Sequence, residues 1–145
     1  MKVLLQRVKK SSVEIEGKEV SSINSGLLVF VGIEKGDTKE TVEKLAKKTV
    51  NLRVFSDKEG KMNLSLSDTC GEMLIVSQFT LCGDCKKGTR PSFDKSAPPI
   101  EAKELYEYFI LQIKSYGVKT GEGVFGADMQ VSLVNDGPVT FMLEG

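Results

Sequence analysis

The hydrophobic pattern changes period several times along the chain, and each change marks an element. Lys2 to Val8 and Ser12 to Glu16 suit extended strands, with a turn signal at Glu16-Gly17-Lys18 after the second run. Gly26 to Ile33 is a continuous apolar run of strand length, the pattern of a central strand covered on both faces. Asp37 followed by Glu40 has the form of a capping box, and Val42, Leu45, Ala46 and Val50 recur at helical spacing. A first helix is therefore expected from Thr38 to Leu52. Glu72 to Phe79 opens as another buried strand and ends in polar groups, so those groups should sit at a strand end, where sites are often assembled. Pro98-Pro99 ends a loop and starts a second helix with the apolar stripe Ala102, Leu105, Phe109, Ile113 and Tyr116. Two last strands are expected over Met129 to Val134 and Val139 to Leu143, joined at Asn135-Asp136-Gly137-Pro138.

Both helices carry charged outer faces, so they should cover a sheet on one side only. The expected fold class is α+β, with mixed β-sheets in two layers and two helices packed on one side, a three-layer arrangement. The 145 residues fit one domain, 1–145, with no repeat or linker to divide it.

Composition narrows the chemistry. Twenty Lys plus Arg balance twenty Asp plus Glu, so any contact with a polyanion must use a local basic patch. No apolar run approaches the length of a membrane span or a secretory leader, and a cytoplasmic protein with no membrane association is expected. The chain has no histidine, which excludes Ser-His-Asp and Cys-His catalysis and His-ligated zinc. Of the three cysteines, Cys82 and Cys85 have the spacing of redox and zinc sites. Without imidazole a full ligand set is hard to assemble, so incidental loop thiols are the favoured reading, and neither metal nor cofactor is expected.

Three stretches could carry chemistry. Ser77-Gln78-Phe79-Thr80-Leu81 places hydroxyls and an amide where the backbone leaves a strand, so free N–H groups there could receive an oxyanion. Taken alone, its hydroxyls are better read as turn caps. Asn135 to Thr140 reads locally as a turn between strands, with a low prior for a cis Gly137-Pro138 bond. Lys86, Lys87 and Arg90, with Phe93 close by, offer cations and a ring for phosphate contact and base stacking, against the plainer reading of a solvated loop.

In combination and order these stretches are more specific. SQFTL at 77–81 and NDGPVT at 135–140 resemble the two signature motifs of the D-aminoacyl-tRNA deacylases. The resemblance extends through Gln6-Arg7-Val8, Gly32 to Asp37, Asn51 to Phe55, Gly60 to Ser65 and Phe125-Gly126-Ala127-Asp128-Met129. It implies a homodimeric esterase acting on the 3′ aminoacyl-adenosine end of tRNA. By the same resemblance, Ser77, Gln78, Phe79 and Thr80 form the catalytic segment, and Gly137 and Pro138 of one subunit reach the pocket of the other through a cis bond. Met129 and Asn135 are implied as substrate-binding positions, Arg7 as the residue that steadies the turn, and Lys86, Lys87 and Arg90 as tRNA contacts. Glycine esterified to tRNA is a further implied substrate.

Two mechanisms fit that family, one with Thr80 Oγ as nucleophile. The other, which the missing imidazole favours, has the substrate's 2′-hydroxyl assist a water. Cys82-Gly83-Asp84-Cys85 and Thr89 depart from the family pattern. Three rivals are an editing module that removes an L-amino acid, a noncatalytic RNA-binding module, and a thiol-dependent protein built on Cys82 and Cys85.

Overall fold

The structure is a computed structural model and describes residues 1–145. Its chain order begins with β1 (Lys2–Ile15), β2 (Lys18–Ile23), β3 (Gly26–Gly32) and α1 (Lys39–Asn51). A small two-stranded sheet, β4 (Phe55–Ser56) with β5 (Met62–Leu64), and the short α2 (Leu66–Thr69) follow. Then come β6 (Glu72–Ser77), a 3-10 turn at Phe79–Cys82, α3 (Pro99–Ser115), β7 (Thr120–Glu122) and β8 (Gln130–Glu144).

The long first strand organises the main sheet. One edge of β1 pairs antiparallel with β8 from Lys2 to Glu14, while its other edge pairs first with β3 and then with β2. Beyond β3 the sheet turns parallel through β6 and β7. The apolar run of β3 is covered on both faces, as expected for a central strand. Leu27, Val29 and Val31 face a large core shared with α1 and α3, whereas Leu28 joins Val8, Val13, Ile23, Leu74 and Val76 in a smaller core on the opposite face. The α+β expectation holds, with strands outnumbering helices.

β3 and β6 approach so closely that Gly26 has no room for a side chain, since an added Cβ would lie 1.8 Å from Glu72 O. The helices bury the stripes read from sequence, including Val42, Leu45, Ala46 and Val50 of α1 and Leu105, Phe109 and Ile113 of α3. Tyr116 is the exception; it falls at the C-cap of α3 and is exposed.

Three local expectations need correction. Lys2 to Val8 and Ser12 to Ile15 belong to one continuous strand, β1, and Glu16 already lies in the turn after it. The cap of α1 is Thr38, whose side chain accepts from Thr41 N, because the Asp37 carboxylate is taken by the Met1 ammonium at 2.6 Å and by Glu34 N at 2.6 Å. Met129 to Val134 and Val139 to Leu143 are not two strands joined by a turn: both halves pair with β1, so they form a single strand with an insertion. A capping box is present elsewhere, at Ser65 and Asp68 on α2, an element too short to show a periodic signal.

Candidate active site

The insertion in β8 is one half of the candidate site. Gln6 pairs with Thr140 and Val8 with Asn135, so residues 136–139 face Arg7 alone. Four residues against one cannot continue the ladder, and the chain loops out as an enlarged bulge. Side chains replace the missing backbone bonds. Arg7 donates from Nε to Asp136 O at 2.9 Å and from Nη1 to Val54 O at 2.5 Å. Asp136 also holds Arg7 Nε at 3.2 Å and Lys9 Nζ at 3.2 Å through its carboxylate. From the other side, Asn135 Nδ2 donates to Arg7 O at 3.0 Å and to Val139 O at 3.2 Å, tying the bulge across its neck. The Asn135 amide lies directly under Gly137, where a Cβ would meet Asn135 Oδ1 at 2.1 Å. The Gly137-Pro138 bond is cis, contrary to the local prior and in line with the resemblance.

The other half is a cleft of about 540 Å³ at the end of β6. Ser77, Gln78 and Phe79 form one wall; Ala97, Pro99 and Ala102, at the start of α3, form another; Phe125 to Met129 close the third. Tyr106 anchors the first wall from behind, its buried hydroxyl donating to Ile75 O at 2.9 Å. Burial raises the pKa of that phenol, with the Glu122 charge adding to the shift, so it acts as a fixed donor. The Tyr106 ring packs on Phe125 at 5.8 Å between centroids, which links the first and third walls. Gly123 lets Met129 close in, since a Cβ there would lie 2.8 Å from the thioether sulfur.

Where β6 ends, the chain tightens into the 3-10 turn. Gln78 N donates to Val31 O at 2.8 Å, and the turn's own bonds begin at Leu81 N, to Gln78 O at 3.2 Å. The first amides of a helical turn have no partner within it, and those of Phe79 and Thr80 are left without an acceptor here. They are donors able to stabilise an oxyanion. The Thr80 hydroxyl accepts from Gln78 Nε2 at 2.5 Å and does not line the cleft.

Lys86, Lys87 and Arg90 lie on an exposed loop closed by paired bonds between Asp84 and Ser92, at 2.8 and 3.0 Å. That loop reaches the cleft through Phe93, stacked edge-on against the exposed Phe79 at 5.1 Å. Cys82 is buried, its thiol donating to Ile33 O at 3.4 Å and pushed up in pKa chiefly by burial, while Cys85 is exposed. No three His, Cys, Asp or Glu side chains are grouped as metal ligands, and no helix is long and apolar enough to cross a membrane.

Apart from Thr80, which lies beside the cleft without lining it, and Lys86, Lys87 and Arg90 on the exposed loop, the sequence-derived residues fall into two groups. Ser77, Gln78, Phe79 and Met129 share the cleft; Arg7, Asn135, Gly137 and Pro138 share the bulge, and none of these four lines the cleft. Asn135, expected to contact substrate, spends its amide inside the bulge. The α3 wall was missed because Ala97 and Pro99 read as loop and helix start, and Ala102 as one more position of the apolar stripe that packs into the core.

The family model for D-Tyr-tRNA(Tyr) deacylase matches residues 4–144. The chain belongs to that family. It is 59% identical over 144 residues to the D-aminoacyl-tRNA deacylase of Thermosipho africanus, covering 99% of this chain and 97% of the relative. The deacylase of Thermodesulfovibrio yellowstonii is 57% identical over 143 residues, covering 99% and 98%. Among solved structures, one titled c-Myc DNA Unwinding Element Binding Protein superposes with a TM-score of 0.94 at 40% identity, covering 100% of this chain and 99% of that one. The activity that goes with D-Tyr-tRNA(Tyr) deacylase membership is hydrolysis of D-aminoacyl-tRNA, and the chain is a hydrolase of that class.

Proposed function

We propose that the cleft holds the aminoacyl end of D-aminoacyl-tRNA, and that the Gly137-Pro138 bulge of a second copy closes it and reads the chirality of the α-carbon. The observation carrying this reading is the separation of the two halves within one chain. The bulge leaves β8 at Asn135, four residues beyond the cleft residue Val131, or roughly 13 Å along a strand. The exposed apolar residues of β8, Leu133, Val134, Phe141 and Met142, supply a surface for the second copy.

In this reading the peptide oxygens of Gly137 and Pro138 form a wall beside the α-carbon. A D-residue turns hydrogen toward that wall, and an L-residue would drive its side chain into it. Discrimination works by rejection and is indifferent to the amino acid's own side chain. Glycine, with hydrogen on both sides, passes the same filter and is a further substrate. The clamp of Arg7, Asp136 and Asn135 supports this role, because a wall that yields rejects nothing.

Hydrolysis follows without a nucleophilic side chain. The amides of Phe79 and Thr80 stabilise the oxyanion, and the ribose 2′-hydroxyl of the substrate helps activate the attacking water. Thr80 as nucleophile lacks a histidine to take its proton, and its oxygen already receives the Gln78 amide. Lys86, Lys87 and Arg90 meet phosphates of the tRNA end, which suits action in the cytoplasm. The test is paired deacylation of D-Tyr-tRNA and L-Tyr-tRNA by the purified protein. Release of D-tyrosine should be faster by at least about a hundredfold, nearly 3 kcal/mol of discrimination; equal rates would remove the chirality filter.

A further inference from the structure

The wall of the cleft carries one ionisable side chain. Ser77, Gln78 and Ser96 are neutral and the remaining residues are apolar or glycine, so Asp128 alone brings charge to the pocket. Every other aspartate in the chain has a polar partner: Asp37 holds the Met1 ammonium, Asp57 and Asp84 hold backbone amides, Asp68 a cap, Asp94 a serine and Asp136 Arg7. Asp128 holds none. Its segment is nonetheless fixed on both sides. Gly123 N donates to Ile75 O at 2.9 Å, Ala127 N to Val124 O at 3.2 Å, and Phe125 packs on Tyr106.

A carboxylate beside a site for a nucleic acid end is unfavourable on its own account, since it repels the phosphates that the basic loop attracts. It becomes favourable if the substrate brings a cation to that point. An aminoacyl ester carries one such group, the α-ammonium, on the carbon next to the carbonyl under attack. We propose that Asp128 is the counter-charge for the substrate's α-ammonium, so that the site selects esters of free amino acids over esters whose nitrogen is acylated or replaced. This rests on reading the cleft as the aminoacyl site and adds a selection for amine charge to the selection for handedness. Asp128 is exposed, so the selection is modest, about two- to fivefold, and weakens with salt.

The experiment uses the full-length protein and two esters, D-phenylalanyl-tRNA and D-phenyllactyl-tRNA, which differ by an ammonium against a hydroxyl of similar size. Asp128→Asn should lower kcat/KM for the first ester two- to fivefold, through KM, leave the second unchanged, and lose its effect at high salt. Asp128→Glu should restore the preference. Equal losses on both esters, carried by kcat, would mean that Asp128 activates water and would overturn the proposal, as would no change on either. Wild-type protein that hydrolyses neither ester faster than buffer would remove the aminoacyl reading of the cleft and the proposal with it.

Discussion

At the scale of single residues, the two candidate mechanisms divide at Thr80. Its backbone amide and its hydroxyl have separate surroundings, the amide free and the hydroxyl oxygen bonded to Gln78 Nε2. If only the amide acts, Thr80→Ala removes nothing that the reaction uses and should keep kcat within about tenfold of wild type, a barrier change near 1.4 kcal/mol. Loss of a true nucleophile costs far more, about a millionfold where it has been measured in a serine hydrolase. Single-turnover deacylation of D-Tyr-tRNA decides between them, with circular dichroism to confirm folding. A collapse of activity in a folded variant would restore the covalent route.

At the scale of elements, β8 shows how a strand can hold a loop out of the sheet by failing to pair. Residues 136–139 have no ladder partners, so the position of the bulge depends on a few side-chain bonds, and Asn135 makes two of them. A neutral hydrogen bond contributes about 1 kcal/mol net. Asn135→Ala should therefore lower global stability by only about 1–2 kcal/mol while releasing the neck of the bulge. If the bulge is the chirality wall, the ratio of D- to L-Tyr-tRNA hydrolysis should fall roughly tenfold, chiefly because L-hydrolysis rises. An unchanged ratio would show that the wall stands without Asn135.

The same strand marks the limit of what the amino-acid order reveals. The central strands, the two long helices and the polar end of β6 were legible because each follows from local periodicity. The continuity of β8 was not, because Asn, Asp, Gly and Pro each favour turns, and only pairing of both flanks with β1 shows that they interrupt one strand. The cap of α1 failed for a related reason: Asp37 has the right spacing to Glu40 but is drawn to a terminal ammonium distant in sequence. Of the candidate site, SQFTL and NDGPVT were legible as motifs through their family resemblance. Their separation within one chain was implied by the same resemblance, whereas the bulge that holds the second motif away from the cleft became visible only once the strand topology was known.

At the scale of the whole molecule, the proposed reading of that separation calls on a second copy, and mixing subunits tests it. Consider a heterodimer in which one subunit carries Ala127→Phe, filling its own cleft, and the other carries Pro138→Ala, weakening its own wall. Ala127 lines the cleft and Pro138 does not, so each change damages one half. If sites are shared, the only open cleft belongs to the Pro138→Ala subunit and faces the intact bulge of its partner. Hydrolysis should then be selective for D-Tyr-tRNA, although the Pro138→Ala homodimer hydrolyses both hands and the Ala127→Phe homodimer hydrolyses neither. If each site lay within one subunit, the open cleft would face its own altered bulge and the heterodimer would show no preference. Two affinity tags isolate the mixed species, and the D to L ratio of that species alone decides whether the wall comes from the neighbouring copy.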